Sequence, residues 1–509
     1  GATQGQRKSS CFATSTEPTS LDPQLGSGTW ITNVTGAIFE GLVRRYNGEI
    51  EPAIAETWDV SNDGLTYTFH LRDVAWSDGT PITAQDFVDS WNLLIERATP
   101  MAQHTEYFTV DGKANARAID EKTLEVTLNY KVPFIMEVFA MSAMAVVRVD
   151  KYDEKGDAYY QTIPETMNGP FLLVDWQPNN VMVLEPNPDY WNAERVNFDR
   201  VEIYTVTEDT TQVNMYRNGE IDMLDVPETM YKDFEDEGMI YYEDGANFYI
   251  QFTTDGQTDE TAKYLANRNF IEAVSACIDR EDFVNSVYNG SFEPTVEFVP
   301  GSATGYNGGT KADANVTISS PFMIKADLTV AQEKLDAALE ELGTTADAMP
   351  TFTLVVSDAT DRQTAAQYIQ DVCGQIGIQI EIDTIPSATF WCYGCGRGTA
   401  IDFAMAGSGP DVDDASTFLK VFDGEGLYAD TFMRWHNDEY AAILADSWST
   451  TDTEQRTEDL VAMEDFLLAN GPVIPLYFTR AGWMLADGFT GISRNMTGAD
   501  LDYIFGDKT

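Results

Sequence analysis

The residues with the clearest chemical capacity are three carboxylates, Asp411, Asp413 and Asp414, in the stretch MAGSGPDVDDASTFLKVF that begins at Met405. They stand between a turn of small residues and a run with the apolar spacing of a helix start. An aspartate at such a junction caps the helix by accepting its first amide protons. That is the role expected of Asp413, with Asp414 beside it, whereas Asp411 is either a turn residue or a group that meets a cation. Calcium fits the run poorly, because DVDD lacks the alternating oxygen ligands and the distant Glu of an EF-hand loop. A second candidate is CYGC, with Cys392 and Cys395. Without a second pair or a nearby His cluster its zinc signal is weak, and a local disulfide or two free thiols is the expected state. The three histidines, His70, His104 and His436, form no HExxH pair, and no GxSxG elbow occurs. Catalysis by carboxylates alone remains open at this level.

These groups sit in a chain of 509 residues, long enough for two or three domains, and 43% of it is hydrophobic, as in a folded protein. Lys and Arg number 31 against 83 Asp and Glu, a formal charge of -52. Such a field repels phosphate backbones and anionic lipid, which argues against nucleic-acid or membrane-surface binding. The five cysteines are sparse and odd in number, so they do not make a disulfide framework. Cys11 follows RKSS, which is not a lipidation context, and is expected as a buried strand residue. The opening GATQG carries no signal peptide, and no run of about 18 apolar residues is present.

The elements that must position the carboxylates alternate in period. LTYTFHL puts Leu65, Tyr67, Phe69 and Leu71 on one strand face, and Asp78 with Gly79 marks a tight turn. TAQDFVDSWNLL then opens on a Thr83 to Asp86 capping pair and spaces Phe87, Trp91 and Leu94 helically. PFLLVDWQPNNVMVLEP predicts a hairpin turning near Asn179 and Asn180. TTQVNMYRNGEIDML predicts a helix stopped at Asn218 and Gly219, then a short strand. TVAQEKLDAALEELG predicts a helix with Leu335, Leu339 and Leu342 on one stripe; TFTLVV, IQIEI and IDFAMA read as strands, with a helix at QTAAQYIQDVCGQIG. This alternation favours a mainly parallel sheet. Residues 300–317 are expected as an exposed loop.

Taken in order, TEPTSLDP (16–23), FEGLV (39–43), AETWDVSNDGLTYTFHLRDVAWSDGTPITAQDFVDSW (55–91), NGPFLLVDW (168–176), NPDYWN (187–192) and MYRNGEIDM (215–223) resemble the peptide-binding proteins of bacterial ABC importers, the oligopeptide and dipeptide binders of solute-binding family 5. The likeness is clear over residues 16–225 and looser to near the end. It implies an α/β, bilobed, periplasmic-binding-protein-like fold of the peptide-binder subclass, with mixed sheets flanked by helices. Residues 1–45, 169–253 and 481–509 would build one lobe, 46–168 an extra domain on it, and 254–480 the other lobe, with ligand enclosed where the lobes meet.

The resemblance also assigns a site. Asp411 falls where the family's aspartate pairs with the ligand's α-amino group, and an enclosed ammonium does need a full negative charge in place of its lost water. Gly407, Ser408, Gly409 and Pro410 would let a peptide backbone approach, with Ser27, Gly28 and Thr29 meeting its other side. Ser408 stands where the family often has a tryptophan, so the space is roomier or filled by Trp30 or Trp391. Tyr107 matches a ligand-side tyrosine loosely, and Tyr249, in NFYIQF, is a further candidate that also fits an ordinary core strand. No Arg stands at the positions that receive the ligand's carboxylate, Met405 and Val356 or Ser357; Arg362 and Arg397 are the substitutes. No cofactor or metal is implied. The expected protein is a monomeric, non-catalytic receptor, extracellular or periplasmic and held to the membrane only through a lipid anchor, that hands short peptides to an ABC permease. The alternatives are the same receptor binding a non-peptide amine and, less favoured, an extracellular peptidase.

Overall fold

The computed structural model describes residues 8–26, 28–254, 256, 258–307, 309–386, 401–409, 412–422, 435–496 and 501–509. It divides into two compact units, residues 1–240 with 482–509 (unit 1) and 241–481 (unit 2). Both are mixed α/β, with sheets flanked by helices, as the sequence implies.

Unit 1 begins with strand β1 (Ser9–Thr14) and helix α1 (Thr29–Ile38). Strands β2 (Ala55–Val60), β3 (Thr66–Leu71), β4 (Ala116–Asp120) and β5 (Thr123–Thr127) form an antiparallel sheet in the order β2-β3-β5-β4. Phe69 and Leu71 of β3 are buried, as the period-2 pattern requires, while Leu65 and Tyr67 are half-buried. Helix α2 (Ala84–Arg97) starts on the predicted capping box: Asp86 N–H donates to the Thr83 hydroxyl and Thr83 N–H donates to the Asp86 carboxylate. Its Phe87, Trp91 and Leu94 are fully buried.

The second sheet of unit 1 is built from β6 (Phe171–Gln177), β7 (Val181–Pro186), β8 (Arg200–Thr205) and β9 (Met223–Asp225). Its order is β6-β7-β8-β1-β9, with residues 483–485 beyond β9. Asn179, at φ +59°, turns the β6–β7 hairpin. Helix α3 (Asp209–Arg217) precedes β9. Cys11 lies inside β1, its amide held by the Asp222 carboxylate, and burial pushes its thiol up to about 12. One buried carboxylate ties the unit together: Glu40 accepts from Tyr190 Oη at 2.5 Å, Trp191 Nε1 at 2.8 Å and Arg44 Nε at 3.3 Å.

Unit 2 has strands β10 (Ile240–Phe252, its first residue in unit 1), β11 (Phe352–Ser357), β12 (Ile380–Ile385), β13 (Phe403–Ser408) and β14 (Val473–Leu485, its last four residues in unit 1). The strand order is β14-β10-β13-β11-β12. Its helices include α4 (Leu328–Glu341), α5 (Thr360–Gly374), α6 (Ala415–Leu419) and α7 (Thr453–Asn470). Leu335 and Leu339 of α4 are buried. The fully buried Arg280 ties three segments through Pro475 O, Met323 O and Ser275 Oγ, and burial without a carboxylate partner lowers its pKa to about 9.

Two expectations are corrected. The sheets are not mainly parallel: β1 is parallel to β8 and β9, and β11 to β12 and β13, but the other ladders are antiparallel. The β6–β7 turn is too short for a crossover, and β10 runs against β13. Residues 300–317 are not exposed throughout either: Asn307, Gly309, Ala312, Asp313, Asn315 and Thr317 face solvent, but the segment is anchored. Ala303, Tyr306 and Lys311 are buried, because Lys311 Nζ reaches the fully buried Glu464 at 3.1 Å and Thr304 N–H donates to Asp413 Oδ1 at 3.0 Å.

Candidate functional site

In unit 2, residues 247–252 of β10 run antiparallel to β13, which sets Asn247 opposite Ser408, Phe248 opposite Gly407 and Tyr249 opposite Ala406. Asn247 is buried and clamps the strand end: its Nδ2 donates to Phe298 O at 2.7 Å and its Oδ1 accepts from Ser408 N–H at 3.0 Å. Gly407 is small for a reason inside the fold. A Cβ there would lie 2.6 Å from the Phe248 ring and 2.8 Å from Asn247 O, closer than carbon and oxygen tolerate. At Gly409 the nearest atom to an added Cβ is 3.7 Å away, so a methyl fits.

Tyr249 is buried against Phe298, and its hydroxyl lies 3.2 Å from Ser408 Oγ. Arg362 at the start of α5 lies 3.8 Å over the Phe248 ring and donates from Nη1 to Tyr477 Oη at 3.0 Å. Phe248, Tyr477 and Phe292 stack in a column, with successive centroids 5.1 Å apart. The fold therefore brings Gly407, Ser408, Tyr249 and Arg362 into one neighbourhood, and puts a fixed cation on the aromatic floor behind the strand.

Two of the three opening carboxylates are structural. The cap of α6 is Asp414, not the expected Asp413: its Oδ1 accepts from Ser416 N–H at 2.9 Å. Asp414 also receives Arg456 through two bonds, Nη2 to Oδ1 at 2.8 Å and Nη1 to Oδ2 at 3.0 Å, with both side chains buried. Gly305, at φ +106°, leaves room for that pair; a Cβ would lie 2.7 Å from Asp414 Oδ2. Asp413 is displaced from the cap because its carboxylate and carbonyl both bind Thr304. Asp411, Pro410, Ser27, Trp391, Arg397 and the Cys392 and Cys395 pair lie outside the described residues.

In unit 1, Gly28 is the N-cap of α1 and supplies no side-chain cap, so the amides of Thr29 and Trp30 have no partner within the helix turn. No acidic residue occupies that first turn. The Trp30 ring folds back over Gly28, where a Cβ would lie 2.5 Å from Cζ2, and Trp30 stays 37% exposed. Beside it is a cavity of about 160 Å³ whose lining includes Trp30, Asn33, Asp209, Asp225 and Arg494. Arg494 is buried, donates to Asp225 and lies 5.0 Å from the Trp483 ring centre. Sequence reasoning missed Asp209, Asp225 and Arg494, which have no shared local motif and are assembled across almost 300 residues. Tyr107 is elsewhere in unit 1, buried with its ring edge-on to Phe134 at 5.7 Å and Tyr130 at 6.2 Å, as a core residue is.

Among the described residues no group of three or more His, Cys, Asp or Glu is placed to hold a metal, and no helix is long and apolar enough to cross a membrane. The family model of bacterial extracellular solute-binding proteins, family 5 Middle, matches residues 49–429. The oligopeptide-binding protein OppA of Bacillus subtilis (strain 168) is 27% identical over 95% of this chain and 90% of its own. Listeria monocytogenes OppA bound to peptide matches with a TM-score of 0.69 and 25% identity over 99% of each chain. The periplasmic murein tripeptide binding protein MppA, in an unliganded open form, gives a TM-score of 0.83 over 99% of this chain and 98% of its own, at 22% identity.

Proposed function

The chain belongs to the family 5 bacterial extracellular solute-binding proteins, and from that premise we propose that it captures short peptides outside the cell membrane and delivers them to the transmembrane subunits of an ABC importer. It is a receptor and not an enzyme, as the family is. The observation that carries the peptide reading is the near full-length match to oligopeptide-binding relatives, one of them solved with peptide bound.

We assign the ligand's α-ammonium to Asp411. A charge-assisted hydrogen bond there contributes roughly 1.5 to 3 kcal/mol. Gly407, Ser408, Gly409 and Pro410 are assigned main-chain contacts to the peptide from unit 2, and Ser27, Gly28, Thr29 and Trp30 from unit 1; Trp391 is a further candidate contact. Arg362, already fixed over Phe248, is the better receiver of a ligand carboxylate than Arg397, because Phe248, Tyr477 and the half-exposed Asp361 carboxylate, 3.6 Å from its Nε, hold it in place before ligand arrives. Residues 1–45, 169–253 and 481–509 would build the first lobe, 46–168 an added domain on it, and 254–480 the second lobe; the two-unit division supports a two-lobed chain with its limit near this boundary. The receptor acts as a monomer on the outer face of the membrane or in the periplasm, held by a lipid anchor upstream of β1. Cys11 cannot carry that anchor, because it is laddered between two strands.

Calorimetry against di- to pentapeptides tests the proposal. Binding is expected, with at least a tenfold loss when the peptide is N-acetylated or Asp411 is changed to Asn. An acetylated peptide that binds as well as its parent would remove the amine capture. Turnover of a fluorogenic peptide library would overturn the receptor itself, and native mass spectrometry that finds only a non-peptide amine would redirect the ligand class.

A further inference from the structure

The cavity of unit 1 has a composition that main-chain recognition does not need. Its charged lining is two carboxylates, Asp209 and Asp225, against one guanidinium, Arg494, an excess of one negative charge. Arg494 is 4% exposed and committed to Asp225, with the Trp483 ring beside it, so it is held back from serving as an anion receiver. Asp225 is 57% exposed, so its carboxylate still faces solvent. Asp209 is exposed, and no hydrogen bond or ion pair engages its side chain among the described residues. The third wall is the exposed indole of Trp30, the aromatic ring that attracts a cation most strongly. Its place is set by Gly28, since any larger residue there would push the ring out.

We infer that this cavity is a side-chain pocket selecting a basic residue of the bound peptide, an ammonium or guanidinium seated between the Asp209 and Asp225 carboxylates and the Trp30 face. The inference rests on the peptide-receptor proposal and deepens it from any short peptide to peptides carrying a Lys or Arg. A neutral guest would leave the Asp209 carboxylate without a counter-charge, whereas a cationic one gains charge-assisted hydrogen bonds and a ring contact. The charge of -52 on the whole chain attracts every cation, so the local effect must be separated from it. In about 1 M salt the screening length falls to about 3 Å, and only groups in contact still matter.

The test is calorimetry in 1 M NaCl with tetra-alanine and its single-position Lys and norleucine replacements. At one position or more, Lys is expected to bind about tenfold tighter than norleucine. Asp209→Asn should cut that ratio below about threefold, and Gly28→Ala, which displaces the Trp30 ring without a forbidden backbone angle, should cut it as well. Asp153→Asn, an exposed carboxylate far along the chain in a separate helix, should leave the ratio as in the parent. Equal affinities for Lys and norleucine at every position, or a ratio that neither Asp209→Asn nor Gly28→Ala changes, would overturn the pocket while peptide binding stands. Failure of all the peptides, tetra-alanine included, would overturn the peptide proposal and the pocket with it.

Discussion

The end of strand β13 in unit 2 and the polar cavity of unit 1 present opposite kinds of surface. At β13 the surface is backbone: Gly407 has no room for a side chain, Asn247 holds the Ser408 amide, and Asp414 with Arg456 anchors the start of α6. In the unit 1 cavity the surface is side chain: an indole, two carboxylates and a guanidinium. Backbone groups are common to all peptides, so a surface of the first kind binds broadly. Side-chain groups differ between guests, so a surface of the second kind discriminates by stranding what it cannot pair. The supports below them differ too. Asp414 is buried with a two-point arginine partner, whereas Asp502, paired across a short ladder with Ser493 next to Arg494, is buried and its carboxylate accepts from the Asn47 amide.

That contrast breaks most visibly at the buried pair. Asp414→Ala leaves the Arg456 charge uncompensated in the interior and is expected to cost about 3 to 5 kcal/mol in denaturant unfolding. A loss below about 1 kcal/mol would mean that Arg456 has another anion at hand.

The next largest effect is pH-dependent and belongs to unit 1. Burial pushes the Asp502 carboxyl up to about 6, although Arg44 and Arg195 oppose the shift. The folded protein therefore holds a proton that the unfolded chain, titrating near 3.8, releases. Stability contributed by this group rises as pH falls from about 6 toward 4 and is flat above. The gain is about 3 kcal/mol at 1.36 kcal/mol per unit. Comparing the parent with Asp502→Asn between pH 4 and 7 isolates it; parallel curves would show that Asp502 does not titrate there.

Gly407 and Gly409 sharpen the comparison within β13 itself. Gly407→Ala forces its methyl into Phe248 and Asn247 and should destabilise by about 1 to 3 kcal/mol, whereas Gly409→Ala should stay within about 0.5 kcal/mol. Equal thermal shifts for the two would remove the steric account. The effect at Arg362 is on affinity and not on stability. Arg362→Gln should lower affinity for a free-carboxylate peptide about tenfold and leave its C-terminal amide almost unchanged. A uniform loss for both peptides would assign Arg362 to packing over Phe248.

How far the sequence carries the fold can be judged at particular residues. The Thr83 and Asp86 box, the Asn179 turn and the burial of Phe87, Trp91 and Leu94 were legible because each depends on side chains a few positions apart acting on their own backbone. The family was legible because its words keep their order along the chain. The duties of Asp413 and Asp414 were not. Local propensity suits either residue as a cap, and the choice is made by Thr304 and Arg456, which approach from 109 positions before and 42 after.

By itself, then, the sequence determined the periods, caps and turns of the elements and the excess of negative charge, all set by covalent neighbours and composition. Only tertiary structure decided which carboxylates are spent on structure, that Ala303, Tyr306 and Lys311 are packed inward, and that Trp30, Asp209, Asp225 and Arg494 line one cavity. Those outcomes depend on contacts between distant segments, where burial makes an unpaired charge costly enough to choose its partner.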